Sequence, residues 1–134
     1  MTETLRFEAD DYADELPRPG FYPGTVDVAR YRRSSRGNDM IQVVYLLDGV
    51  ERHGRVAEYF VLAGSSERGS AVARRRLLQL YMACGLEPKA GEEVSPADLF
   101  GHRLAVRVAH DEWEGQCRLR VTGYRRLDAT SAPF

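Results

Sequence analysis

Three β-like segments, one amphipathic helix and two further β-like segments follow one another between Gly20 and Tyr124. That order predicts an all-β domain with one main helix, the OB-fold: a five-stranded, partly open barrel (β-β-β-α-β-β) of the kind that holds oligonucleotides and oligosaccharides. The length of 134 residues fits this, being enough for one domain with a real core and too short for two ordinary ones. No catalytic or metal-binding motif stands out. The functional reading therefore rests on where the arginines and aromatic rings fall on the barrel.

The elements are read in chain order. Residues 1–19 form an acidic N-terminal arm, closed by Leu16-Pro17-Arg18-Pro19-Gly20, because proline disfavours helix and cannot donate to a ladder. The first strand runs from Gly24 to Arg33, and the turn Ser34–Asp39 follows, with Gly37 and Asn38 tolerant of positive φ. Met40 to Leu47 is the second strand, and Asp48-Gly49 marks a tight hairpin turn. Arg55 to Leu62 is the third, ended by Ala63-Gly64-Ser65-Ser66. Ala73, Leu77, Leu80, Tyr81 and Cys84 recur at helical spacing, so a helix starts at Ser70 and stops at Gly85, with Pro88 barring continuation. Ser95-Pro96-Ala97-Asp98 reads as an N-cap, a first-turn proline and an acid three residues on, the signature of a short helical turn. Leu104–His110 and Gln116–Tyr124 form the last hairpin, and residues 127–134 a short tail.

Strand alternation assigns faces. On the second strand Ile41, Val43, Tyr45 and Leu47 form one set and Met40, Gln42, Val44 and Leu46 the other; both are largely apolar, so the strand is expected to be covered on both sides. On the last hairpin Leu104, Val106, Val108, Cys117, Leu119 and Val121 point inward, while Arg107, Arg118, Arg120 and Thr122 point outward.

Hydrophobic content of 43% and charged content of 29% describe a globular chain. No run approaches a membrane span, and Met1-Thr2-Glu3-Thr4-Leu5 lacks the basic and apolar regions of a signal peptide, so the expected location is the cytoplasm. Cys84 and Cys117 are then expected as buried thiols rather than a disulfide. The net charge of −1 hides an asymmetry: residues 1–16 hold six acids and one base, and residues 17–134 hold 18 bases and 14 acids. All the bases but Lys89 are arginines, whose guanidinium pairs bidentately with phosphate and stacks on flat rings.

Arg30, Arg32, Arg33 and Arg36 crowd the end of the first strand and the loop after it, and Arg107, Arg118 and Arg120 occupy the last hairpin, with Arg125 and Arg126 just beyond. Nucleic acid on an OB-fold lies across strands two and three, flanked by the loops between strands one and two and between four and five. Tyr31, Tyr59 and Trp113 fall near that groove, and single-strand binders combine basic tracks with stacking rings. The bland alternative is a set of solvated arginines paired with Asp27, Glu58, Asp111 and Glu112. Arg74-Arg75-Arg76 is read as a solvated helix face opposite the apolar stripe, and Trp113 sits among acids at a hairpin tip, where a protein contact is the alternative to stacking on a base.

Several chemistries are set aside. Gly64–Ser70 superficially resembles a phosphate loop but lacks the lysine that nucleotide hydrolysis needs. His53, His102 and His110 have no zinc-like spacing, Glu92-Glu93 and Asp111-Glu112 are adjacent loop acids, and no serine has a partner that suggests a nucleophile. The expectation is a protein that is not an enzyme and needs no metal or cofactor. The terminal Pro133-Phe134 is similar to the tip of bacterial single-stranded DNA-binding proteins, which docks into repair enzymes, but only Asp128 stands where those carry an acidic run.

Gly20-Phe21-Tyr22-Pro23-Gly24, Ser35-Arg36-Gly37-Asn38-Asp39-Met40, Gly54-Arg55-Val56 and Tyr59-Phe60-Val61-Leu62 resemble a phage-encoded family, long described as a domain of unknown function, whose members are often assigned as single-stranded DNA-binding proteins of replication and recombination modules. Leu77-Leu78, Ala83-Cys84-Gly85-Leu86, Asp98-Leu99-Phe100-Gly101 and Glu114-Gly115 extend the likeness over residues 20–124. The resemblance implies a phage or prophage OB-fold protein that coats single strands in the bacterial cytoplasm.

Together these readings give an OB-fold domain over residues 20–126 that binds single-stranded DNA without sequence preference. Arg30, Arg32, Arg33 and Arg36 contact phosphate on one side of the groove, Arg107, Arg118 and Arg120 on the other, and Tyr31, Tyr59 and Trp113 stack on bases. Replication or recombination proteins are the expected partners. A homodimer or larger assembly is expected from the outer set Met40, Val44 and Leu46, which would otherwise be exposed. The rivals are an OB-like protein-interaction module that regulates a replication or repair factor, and an enzyme subunit or accessory nuclease component.

Overall fold

The computed structural model describes residues 3–8, 11, 15–33, 35–62 and 67–127. The expectations for Asp10, Asp14, Ser34, Ala63–Ser66 and Pro133-Phe134 fall outside them. Five strands, β1 (Gly20–Arg33), β2 (Asp39–Leu47), β3 (Arg55–Val61), β4 (Arg103–Trp113) and β5 (Gln116–Arg125), surround one helix, α1 (Glu67–Ala83), and a short 3-10 turn, Pro96–Leu99. They form one antiparallel sheet in the order β3-β2-β1-β4-β5. A mostly β domain with one helix is thus what the chain forms. Among the described residues no helix is long and apolar enough to cross a membrane.

β1 starts four residues before the expected strand, despite Pro23. The reason is where the proline faces. Its carbonyl accepts from the Asp48 N–H at 2.8 Å, on the β2 side, beyond the last β1–β2 pair, Gly24–Leu47. The missing N–H of Pro23 faces the same way, so the β1–β4 ladder loses nothing. Gly24 then lets β1 change partners at close quarters: a Cβ there would lie 2.8 Å from the Leu46 carbonyl oxygen.

A bulge at Asp27, between the pairs Val26–Tyr45 and Val28–Val44, reverses the face of every β1 residue that follows. Val26 is fully buried, while Val28, Arg30 and Arg32 share the outward face with Val44, Gln42 and Met40. The Asp27 carboxylate pairs with Arg55 on the same outward face.

The helix begins one turn earlier than its apolar stripe suggested, because Glu67-Arg68-Gly69 carries no hydrophobic signal. Glu67 places an acid in the positive first turn. It ends as expected at a left-handed Gly85, φ 83°, with Leu86 N–H donating to Tyr81 C=O and Gly85 N–H to Met82 C=O, both at 3.0 Å. Leu80, Tyr81 and Cys84 are buried, and Ala73 and Leu77 pack against them. Burial pushes the Cys84 thiol up to about 11; Cys117, by contrast, is only half-buried. The 3-10 turn carries the expected reciprocal cap: Ser95 Oγ accepts from Ala97 N–H at 3.3 Å and Asp98 from Ser95 N–H at 3.1 Å.

The core lies between the concave face of the sheet and α1, with Val26, Val43, Tyr45, Leu80, Leu99, Leu104, Val106 and Val108 essentially sealed from water. The two edge strands, β3 and β5, come into contact, yet no backbone ladder joins them. Side chains span the seam instead. Glu58 of β3 accepts from the Tyr45 hydroxyl of β2 at 2.9 Å and from the Tyr124 hydroxyl of β5, and its other oxygen pairs with Arg76 of α1. Arg76 also lies 5.7 Å from the Tyr124 ring centre. Arg76 is therefore half-buried against the seam, not on the solvated helix face expected for Arg74-Arg75-Arg76. Burial first, and then Glu58, push both the Tyr45 and Tyr124 phenols well above their usual range.

Both faces of β2 are covered, as alternation suggested, with one exception. Val44 is 5% exposed and Met40 half-buried within the single chain; only Leu46 stays open, at 41%. The expectation that Met40, Val44 and Leu46 form an open apolar set therefore fails, and with it the argument for self-association that it carried.

Candidate nucleic-acid interface

Cross-strand register lines up three residues on the outward face of β1, β2 and β3: Arg30 opposite Gln42, and Gln42 opposite Tyr59. Gln42 is the polar interruption in an apolar strand and is itself buried. Its side-chain oxygen accepts from Arg30 Nε at 3.0 Å and from Arg32 at 3.5 Å, while its nitrogen donates to the Tyr59 hydroxyl at 3.3 Å. One amide thus orients two guanidinium groups and one phenol ring. Arg30 and Arg32 are exposed, and Tyr59 is 49% exposed. Neither arginine has an ion-pair partner among the described residues. Both keep N–H groups available for a ligand.

The flanking candidates behave differently. Arg33 pairs loosely with Asp39 across the β1–β2 turn at 3.6 Å. Arg36 is exposed in that turn, with no ion pair or hydrogen bond among the described residues. Tyr31 is 62% exposed but pairs with Ile41, so it projects to the opposite side of the sheet from Arg30 and Arg32. The grouping of Tyr31 with those arginines is corrected by alternation, which sets neighbouring strand residues on opposite faces; the bulge at Asp27 decides that Arg30 and Arg32, not Tyr31, share the face of Gln42. Counting outward from Val26 by strict alternation gives the wrong side for every later residue of β1.

The second arginine group sits elsewhere along the sheet. Arg107 pairs with Phe21, nine residues along β1 from Arg30, a strand path of about 30 Å if straight. The ladder therefore puts the two groups at opposite ends of β1. Arg107 donates to Thr122 Oγ1 at 3.0 Å and lies 5.8 Å from the Phe21 ring centre. Beyond Gly20, β4 and β5 continue as a two-stranded arm. On it, Arg118 pairs with Asp111 at 3.6 Å and stacks over Trp113 at 4.9 Å. Arg120, opposite Ala109, is exposed with no ion pair or hydrogen bond among the described residues. Trp113 is 56% exposed, but one face of its ring is taken by Arg118.

The chain matches no protein-family model and no curated protein sequence. The site is therefore described by its own geometry. Among the described residues no three His, Cys, Asp or Glu side chains gather as a metal site would need. His110 contacts the Pro17 carbonyl at 2.8 Å, a structural contact that ties residues before β1 to the arm.

Of the acids weighed as bland partners, Asp27 binds Arg55, Glu58 binds Arg76, and only Asp111 binds a member of the candidate set, Arg118. Arg30, Arg32, Arg36, Arg107 and Arg120 escape that neutralisation. Sequence reasoning missed Gln42 as the residue that orders the site. Its signal was present: an amide between Ile41 and Val43 in a strand covered on both faces must find partners or cost stability. It also missed Phe21, which lies between Pro19 and Pro23, ahead of the expected start of the first strand.

Proposed function

We propose that this chain is an OB-fold protein that binds single-stranded DNA without sequence preference, on the outward face of β1, β2 and β3. The observation that carries the reading is the Gln42-ordered set of Arg30, Arg32 and Tyr59: two unneutralised guanidinium groups beside an exposed ring. Such a pairing suits phosphate contacts next to a stacked base. The strand order β3-β2-β1-β4-β5, with β3 and β5 in contact at the seam, supports the OB-fold assignment, whose ligand face lies on the second and third strands. Arg33 and Arg36 extend the basic track into the β1–β2 turn. The likeness of residues 20–124 to phage single-strand binders supports a role in a phage or prophage replication or recombination module, in the bacterial cytoplasm.

Anisotropy of labelled oligo-dT tests the reading. Binding should appear at low salt and weaken as salt rises, because each phosphate contact releases counterions. Duplex of the same length should compete poorly, and the double substitution Arg30→Gln, Arg32→Gln should weaken binding about a hundred-fold, the order expected for losing two charge-assisted contacts of about 1.5 kcal/mol each. No binding at low salt would instead favour a protein-interaction module. One observation fits that second reading: the acidic tip Asp111, Glu112 and Glu114 around Trp113 repels phosphate and suits a protein surface.

A further inference from the structure

A second basic groove, remote from Arg30 and Arg32, lies where β1, β4 and β5 meet the end of α1. It encloses about 550 Å³ and is lined by Phe21, Arg107, Arg125 and Arg126, with Gly123 and the last turn of the helix as its floor and wall. Among the described residues no acidic side chain lines it. Phe21, 39% exposed, has guanidinium groups from two strands against its ring: Arg125 at 4.3 Å and Arg107 at 5.8 Å from its centre. Arg125 is the cross-strand partner of Ala105, so its side chain crosses that small residue to reach Phe21. Arg126 turns toward the helix end, 3.5 Å from where a Gly85 Cβ would be. Gly123 leaves the space above Arg107 open; a Cβ there would meet the Arg107 guanidinium at 3.4 Å.

Three cations lining one groove repel one another; Arg107 has the Thr122 hydroxyl and carbonyl as hydrogen-bond partners, and Arg107 and Arg125 share the Phe21 ring. Cation–π contacts offset part of that cost, but an anion in the groove offsets far more. The fork of donors on each guanidinium matches the oxygens of phosphate. We infer that the groove between Phe21, Arg107, Arg125 and Arg126 is a phosphate-binding site separate from the β1–β3 face. The phosphate belongs either to a distant part of the same nucleic-acid strand or to a free phosphorylated small molecule.

Inorganic phosphate is the probe, followed by amide chemical shifts at constant ionic strength against chloride. Phosphate should shift Thr122, Gly123 and Arg125 selectively in the wild-type chain and equally in the Arg30→Gln, Arg32→Gln variant. The shifts should vanish in Arg125→Gln, Arg126→Gln, and in Gly123→Glu, whose carboxylate occupies the groove; the second variant keeps the test valid if the first is unstable. Oligo-dT then separates the sources. If Arg125→Gln, Arg126→Gln weakens oligo-dT about five-fold and lowers the salt slope by about 1.4, two contacts at 0.7 each, the strand runs through the groove. If phosphate shifts are lost but oligo-dT affinity is unchanged, the ligand is a free phosphate compound. Phosphate shifts in a chain that binds no oligo-dT would sink the proposed function and leave this site standing. Absence of selective shifts in the wild-type chain, or shifts spread evenly over all arginine neighbours, overturns the inference.

Discussion

Gln42 is a single residue on which the proposed interface depends. Its amide is buried and makes three hydrogen bonds, so replacing it removes order from Arg30, Arg32 and Tyr59 without removing any charge. Gln42→Leu should weaken oligo-dT binding about three- to ten-fold, the equivalent of about 1 kcal/mol in net hydrogen bonding, while the urea midpoint changes little. Unchanged affinity in the same anisotropy assay would show that the two arginines need no ordering. At this scale the sequence was only partly legible. Charge and ring positions could be read directly, but the side of the sheet could not, since one extra residue at Asp27 reverses the outlook of Tyr31, Arg30 and Arg32 together.

Tyrosine titration is also a residue-scale property. Burial first, then Asp98, push the Tyr81 phenol up to about 12, from an ordinary value of 10.0, and its hydroxyl donates to the Ser95 carbonyl at 2.7 Å. A group whose folded pKa is raised stabilises fully below the unfolded value and loses that contribution as pH rises through the folded one. The fold should hold its urea midpoint through neutral pH and lose it progressively from about pH 10 toward pH 12 and beyond, with Tyr45 and Tyr124 adding to the loss. Tyr81→Phe should make the decline shallower, read as urea midpoints across that range. A decline of the same steepness would remove Tyr81 from the account.

At the scale of elements, the Glu58 clasp joins β2, β3, β5 and α1 at one point. Glu58→Ala leaves the buried Tyr45 phenol, the half-buried Tyr124 phenol and a half-buried guanidinium without this acceptor, and should cost about 3 kcal/mol in urea unfolding, whereas Arg76→Lys should cost less. A loss under about 0.5 kcal/mol would mean that packing alone holds the seam. Elements were the most legible scale. Alternation and helical spacing located all five strands and the helix, because each carries an apolar period, and capping residues located the short turn at Ser95–Asp98. What escaped lacked one: the start of β1 is masked by Pro23, the first turn of α1 is polar, and the arm of β4 and β5 beyond His110 has water on both sides of most residues. The clasp itself was unreadable, since it joins residues from four elements that have no common spacing.

For the molecule as a whole, charge is unevenly divided. Residues 1–16 carry a net −5 and the remainder +4, although the total is −1. Deleting residues 1–16 should therefore tighten oligo-dT binding at low salt, and the gain should fade as salt is raised, because exposed charges more than about 10 Å apart are screened near 0.1 M. Equal affinity with and without the leader at low salt would show that it does not compete for the arginines.

The seam between β3 and β5 has a colloidal consequence. Each strand's outer row of amides and carbonyls would be a template for another chain, and here each strand lies against the other and against α1. Because side chains rather than a ladder hold them there, loosening the contact would offer two sticky borders at once. Variants weakened at Glu58 should accordingly clump on gentle warming, at concentrations where the parent stays clear.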